Sequence, residues 1–544
     1  MNSTGKPSTI PHDQALTAWR DAAPAAPKDL DLPRQQLLHD FHPDHQPNAM
    51  ETLAIGASAG QRCPSILAAL LQSDALLEDE DIAGAPGIDA DVLVIGGGGA
   101  GCVAALSAAR AGARVLLATK LRLGDSNTVM AEGGIQAAVG ADDSLQRHYD
   151  DTLRSGHFAA DKALVAALVS DGPDAIRWLI QEGMSFDLAP GSQRMGGTLL
   201  RKKPGGASAA RLLSYRDFTG LELMRALREA VLLQPGVTLL ERHPALELLS
   251  DERGGCAGAV LHDLAHGRTT LARAGATILA TGGAGRLHLA GFPTSNHYGA
   301  TADGLVLAYR LGAPLRELDS FQYHPTGIAW PEGMEGALVS EAARASGAFL
   351  VNGLGERFVD ELQPRDVVAA AILREIDEGR GIARDGRIGV FLDTPSLERN
   401  HPGILESSLV TLRHLAQRAG IDPAHEPFMV RPTLHYQNGG AVIDLAGATP
   451  VAGLLCAGEV AGGLHGRNRM MGNALLELVV FGRRAGAAAA MQARRAPQRA
   501  ATLGHLADWR RALANHSLPS GRKAPMVFPA YGNVDIANDR QRAL

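Results

Sequence analysis

Residues 91–120 read DVLVIGGGGAGCVAALSAARAGARVLLATK, and the fold class follows from this run. Residues 92–95 are apolar without alternation, the pattern of a strand covered on both faces. Four glycines, an alanine-rich helical stretch and a second apolar strand follow, which makes a βαβ unit. Gly96, Gly98 and Gly101 have the G-x-G-x-x-G spacing. Such glycines permit a tight turn, let the backbone approach a pyrophosphate and pack the helix closely on the strand. The helix N-terminus behind them offers amide donors and partial positive charge to phosphate. Ala118, Thr119 and Lys120 stand where an acidic ribose ligand usually ends the second strand, so a simple nicotinamide dinucleotide site fits poorly.

Outward from this unit, helical patterns at 162–182, 220–233 and 365–378 and a buried strand in ATILATGG at 276–283 predict an α/β architecture with insertions. At 544 residues the chain exceeds one ordinary core, so several domains are expected. Apolar residues make up 45% and charged residues 20%, the balance of a packed chain rather than a disordered one. A net charge of -6 supplies no field for a phosphate backbone, so no nucleic acid partner is expected. Cys63, Cys102, Cys256 and Cys456 form no C-x-x-C pair, which argues against internal iron–sulfur or haem ligation and fits a reducing compartment. The first residues carry no apolar signal core, and no apolar run reaches the ~18 residues of a membrane span, so a cytoplasmic protein is expected. Residues 1–88, rich in Pro and Asp, read as an extra, partly ordered arm. Within it, His39, Asp40, His42, Asp44 and His45 lack metal-type spacing and read as solvated; no metal site is expected.

Further motifs follow in order: SNTV at 126–129 with AEGG at 131–134, ATGGAG at 280–285, ADG at 302–304, FQYHPTG at 321–327 and SEAAR at 340–344. Then come PRDVV at 364–368, HYQNGG at 435–440, AGE at 457–459 and HGRNRMMGNALLELVVFGR at 465–483. Through them, residues 91–486 resemble the succinate dehydrogenase, fumarate reductase and L-aspartate oxidase flavoprotein family. The resemblance implies a Rossmann-like FAD-binding domain at 89–318 and 437–490, interrupted by an α+β capping domain at 319–436, with a short helical tail at 491–544.

It also implies FAD, with Gly96, Gly98, Gly101 and Lys120 near the pyrophosphate and adenosine half. Ser126, Gly133, Gly134, Asp303, Glu459, Asn473 and Leu475 would meet the ribityl chain and isoalloxazine. His324, Ser340, His435 and Arg469 would clamp a small dicarboxylate, Arg365 would transfer a proton, and Glu341 and Arg344 would relay it to solvent. Arginine forks bind carboxylates bidentately, which suits such a substrate. An arginine of pKa above about 12 can carry a proton only transiently, between a strong acceptor and a charged relay. Ser340 stands at a position where the family usually has Thr, and the hydroxyl survives.

Departures from the family pattern refine these expectations. Asn127 occupies the position of the histidine that bonds FAD in the membrane-bound relatives, so a non-covalent flavin is implied. Ala474, Gln437 and Asn438 alter pocket polarity. The expected activity is hydride transfer between flavin N5 and a fumarate-like or succinate-like dicarboxylate. L-Aspartate oxidation is the alternative, although Lys203 and Pro204 stand where that enzyme carries the Glu that meets the substrate ammonium. A further alternative is a flavoprotein subunit needing a separate electron-transfer partner. A scaffold that has lost its chemistry is disfavoured, because every charged pocket group is retained.

Overall fold

The computed structural model describes residues 9–22, 26, 32–46, 49–192, 197–495, 501–519 and 521–527. Before the glycine turn lie a two-residue strand, β1 (Ile10–Pro11), and helices α1 (His12–Asp21), α2 (Arg34–Phe41) and α3 (Ser65–Leu71). Leu37, Leu67, Leu70 and Leu71 are fully buried, so the described part of this segment is packed, not solvated. Its apolar runs are too short to build a core alone, yet each seals the face of another unit. His42 is buried as well, and the half-buried Asp44 accepts the Phe321 amide on Oδ2 at 2.9 Å. At His42 and Asp44 the stretch is therefore a docking turn, which corrects the solvated reading for those two residues, while His39, Asp40 and His45 are exposed.

The principal sheet takes β2 (Gly87–Ile95), β3 (Val115–Thr119), β4 (Val237–Glu241), β5 (Ala245–Ser250), β6 (Cys256–Asp263) and β7 (Arg268–Leu279). They are ordered β4-β3-β2-β7-β6-β5. β2 lies parallel to both β3 and β7, in register at Val92 with Val115 and Leu93 with Thr277. Helix α4 (Gly99–Arg110) crosses between β2 and β3. The strand read at 276–283 is the end of a longer one, because the first half of β7 also pairs with β6. The helical patterns become α5 (Lys162–Gln181), α6 (Thr219–Leu233) and, after α7 (Asp303–Arg310) and α8 (Glu341–Ala345), α9 (Arg365–Asp377).

A second sheet, ordered β1-β10-β11-β12-β8 with β9 on β11, uses β8 (Phe321–Ile328), β9 (Phe349–Val351), β10 (Ile382–Arg384), β11 (Arg387–Asp393) and β12 (Phe428–Gln437). Val367, Val368 and Ile372 of α9 share a core with Val390, Leu392 and Phe428 of this sheet. The chain then returns: β13 (Leu454–Cys456) pairs parallel with β7, and α10 (Asn473–Arg495) packs along α4. That approach is so close that a Cβ on Gly486 would lie 2.4 Å from Ala104 O. A last helix, α11 (His505–Asn515), adds Trp509 and Leu513 to the same core.

Candidate active site

A cavity of about 720 Å³ is lined by residues of both units. It begins at the glycine turn, where Gly96 has φ 121° and a Cβ would lie 2.2 Å from Ala280 O. Only glycine fits there. Gly98, the N-cap of α4, also lines the cavity. Gly101 does not: a Cβ on it would lie 1.8 Å from Gly96 O, so its task is to let helix and turn touch. Lys120 follows β3 and sends Nζ to Asp303 Oδ2 at 2.6 Å and Thr301 Oγ1 at 2.9 Å. The cation that replaces the usual acid is thus paired with the first residue of α7.

Ser126, Gly133, Gly134, Glu459 and Leu475 line the middle of the cavity. Asn127 donates from Nδ2 to Asn296 Oδ1 at 2.6 Å, and its Oδ1 accepts the His297 amide at 2.7 Å. Its side chain therefore fastens the 294–297 loop. Burial pushes the Glu459 carboxyl up to about 7, although the Gln437 amide donates to it at 3.0 Å. Asn473 departs from expectation. It is wholly buried outside the cavity lining, donating to Thr152 Oγ1 at 2.9 Å and lying 3.0 Å from His148 Nε2.

At the far end His324, Ser340, Glu341, Arg365, His435 and Arg469 converge. Strands β8 and β12 bring the two histidine rings to 5.3 Å, edge to face. Arg365 opens α9 and donates from Nε to Glu341 Oε2 at 2.8 Å. Arg469 lies 4.4 Å over the Tyr436 ring. Gln322 joins the two cations: its Oε1 accepts from Arg365 at 3.0 Å and from Arg469 at 2.9 Å. Burial, reinforced by Arg365, drives both histidines well below their ordinary pKa and lowers Arg469 to about 10. Burial would raise Glu341, but Arg365 and Arg344 hold it below the usual carboxylate range. His324 Nε2 and Arg469 Nε are buried without a protein partner, two polar atoms aimed at a ligand.

One residue behind the pocket arginines and one of the cavity lining carried no signal in the sequence by themselves. Gln322 is a neutral member of the FQYHPTG run. Glu132 sits within AEGG, lines the cavity and has an unpartnered Oε2; burial and then Asp217 push its carboxyl up to about 8. Two expectations change. The side chain of Arg344 is only 1% exposed and donates to Glu361 O at 2.5 Å, so it backs Glu341 without opening to solvent. Lys203 is exposed and does not line the cavity, whereas the Gly205 amide donates to Glu341 Oε1 at 3.2 Å, so Lys203 supplies no argument against an amino-acid substrate.

A family model described as FAD binding domain matches residues 91–475. Over 416 residues the chain is 40% identical to one component of the fumarate reductase (CoM/CoB) of Methanothermobacter marburgensis, covering 74% of this chain and 73% of that one. It is also 40% identical over 415 residues to an L-aspartate oxidase of Streptomyces coelicolor, covering 74% and 68%. The E. coli quinol fumarate reductase FrdA, in a mutant form, superposes with a TM-score of 0.71 at 32% identity, covering 79% of this chain and 74% of that one.

Proposed function

We propose, on the premise that this chain belongs to the succinate dehydrogenase, fumarate reductase and L-aspartate oxidase flavoprotein family, that its substrate is a fumarate-like or succinate-like dicarboxylate. The chain is an FAD-dependent oxidoreductase of that type. One observation carries the substrate class: Arg365 and Arg469, both buried, share the neutral Gln322 oxygen, and Glu341 is their one carboxylate partner within ion-pair distance among the described residues. Excess positive charge in a buried pocket is complementary to a dianion.

FAD fits the trough by its donor set. The glycine turn and the start of α4 suit a pyrophosphate, and Thr281 Oγ1 lines the cavity with no protein partner. Gly96, Gly98 and Lys120 would hold the nucleotide half, joined there by Asp303, which its bond to Lys120 moves away from the ring half expected for it, and Ser126, Gly133, Gly134, Glu459 and Leu475 the ring half. With the Asn127 amide engaged on the 294–297 loop, the flavin is non-covalent. Bound FAD supplies hydride exchange with a substrate carbon. Arg469, His435 and His324 fix the carboxylates, and Ser340 contributes a hydroxyl. Arg365 passes a proton from its guanidinium to the second alkene carbon in reduction, and takes it back in oxidation. Glu341, bonded to Arg365 Nε, keeps that guanidinium aimed. The unit built on the second sheet acts as a cap that excludes water from this exchange. No helix among the described residues is long and apolar enough to cross a membrane. We place the protein in the cytoplasm, with a separate protein or soluble carrier exchanging electrons with the flavin.

A second reading, L-aspartate oxidation, is favoured by Glu132, whose unpartnered oxygen could receive an ammonium. Titrating the oxidised holoenzyme with succinate and with butyrate, and following flavin absorbance, tests the dicarboxylate pocket. Saturable succinate binding is expected, weakened about tenfold or more in Arg469→Gln. Equal binding of butyrate would overturn the reading, and anaerobic bleaching by L-aspartate alone would assign the second one.

A further inference from the structure

The family match begins at residue 91, yet the chain before it touches both units. On the second sheet, β1 adds parallel to β10, pairing Ile10 with Ile382, and α2 lays Leu37 and Leu38 into the core that holds α9. On the principal unit, Ser58 Oγ accepts the Leu315 amide at 2.7 Å and donates to Leu315 O at 2.8 Å, while α3 buries its leucines in that core. The two attachments are separated by the turn that holds Asp44.

Where they meet, one carboxylate gathers donors from three parts of the chain. Asp366, buried in the first turn of α9, directly follows Arg365. Its Oδ2 accepts from His157 Nε2 at 2.8 Å and from the Arg34 guanidinium at 3.2 Å, and its Oδ1 from Asn468 Nδ2 at 3.1 Å. Asn468 in turn accepts from Gln322, which holds both pocket arginines. Burial would raise the Asp366 carboxyl, but His157 and Arg34 hold it below its ordinary value, so it stays ionised. Arg34 is thus the charged contact of the N-terminal segment on the helix that presents Arg365, beside the apolar contacts of Leu37 and Leu38.

We propose that the N-terminal segment is an in-chain clamp, in which Arg34 grips Asp366 and sets α9, and so Arg365, against the principal unit. Arg34 is a positioning residue. It touches neither cavity nor substrate, and it acts through Asp366. The kinetic part of this inference rests on the proposed function; the mechanical part does not.

The test uses full-length holoenzyme carrying Arg34→Gln, Arg34→Lys, Asp366→Asn or Arg34→Gln with Asp366→Asn, read by hydrogen exchange along α9 and by fumarate turnover. Arg34→Gln should speed exchange in the first turns of α9 about threefold or more and lower kcat about fivefold with KM nearly unchanged, and Arg34→Lys should restore most of both. In the Asp366→Asn background, Arg34→Gln should change either quantity less than about twofold. Unchanged α9 exchange in Arg34→Gln, or equal losses in both backgrounds, would overturn the clamp. If Asp366→Asn does not fold, the contrast between Gln and Lys at position 34 decides alone. Faster α9 exchange in Arg34→Gln, in a wild-type enzyme that turns over no dicarboxylate, supports the clamp and overturns the functional reading instead.

Discussion

Gln322 shows how a neutral side chain organises a charged pocket: its carbonyl oxygen holds Arg365 and Arg469 together, and its amide donates to Asn468 and to Arg469 O. In the proposed function the proton-moving role falls to Arg365, which alone of the two also bonds Glu341. Arg365→Ala should therefore lower turnover about 10²- to 10⁴-fold, with flavin absorbance intact; near-normal steady-state rates would reject the role. Glu132 is predicted to set the pH dependence of substrate binding. Its carboxyl, raised to about 8, is neutral at pH 7 and gains negative charge as pH climbs through that value, beside a dianionic ligand. The dissociation constant for succinate should rise above pH ~8 in the wild type and stay flat in Glu132→Gln, and parallel profiles for the two would contradict this assignment. The charged pocket residues were legible because guanidinium, imidazole and carboxylate groups recur at motif positions. Gln322 and Glu132 were not, since an amide in an aromatic run reveals nothing until strand β8 turns it inward, and an acid beside glycines nothing until the loop after the turn at Asn127–Met130 lines the cavity. Asn473 was misplaced because the first residue of a helix can turn toward either side, and His148 and Thr152 take it.

At the scale of elements, helix α4 and the glycine turn meet at a contact that admits no methyl group. Gly101→Ala should cost roughly 1–3 kcal/mol by overpacking and reduce flavin content on purification, so an unchanged urea midpoint with full flavin would refute the contact. The turn that starts at Asn127 makes a separate prediction: acid precipitation should release all flavin to the supernatant, and colour kept in the pellet would exclude a non-covalent cofactor. Uninterrupted apolar runs made β2, β3 and the end of β7 legible, because strands covered on both faces need no alternation. Strand β1 has two residues and no periodicity; its existence depends on an edge offered by β10, far away in sequence. Long helices such as α5 and α9 carry their own pattern and were found to within a residue or two.

Across the whole molecule, two cores are joined by a segment that looks, in composition, like a tail. Leu37→Ala should destabilise the protein by about 2–5 kcal/mol in urea unfolding, as expected for a fully buried leucine, and no shift in midpoint would return the segment to solvent. Proline and aspartate recur through it, while the buried leucines that anchor it are legible only once their partners on α9 and α7 are assembled. In the proposed function, a flavin beneath a cationic pocket reduces or forms a carbon–carbon double bond in a dicarboxylate. Anaerobic mixing of the chemically reduced holoenzyme with fumarate tests it most directly. Rapid, saturable return of the oxidised flavin spectrum, lost in Arg365→Ala, is the predicted result; a reduced spectrum that fumarate leaves unchanged would contradict the account.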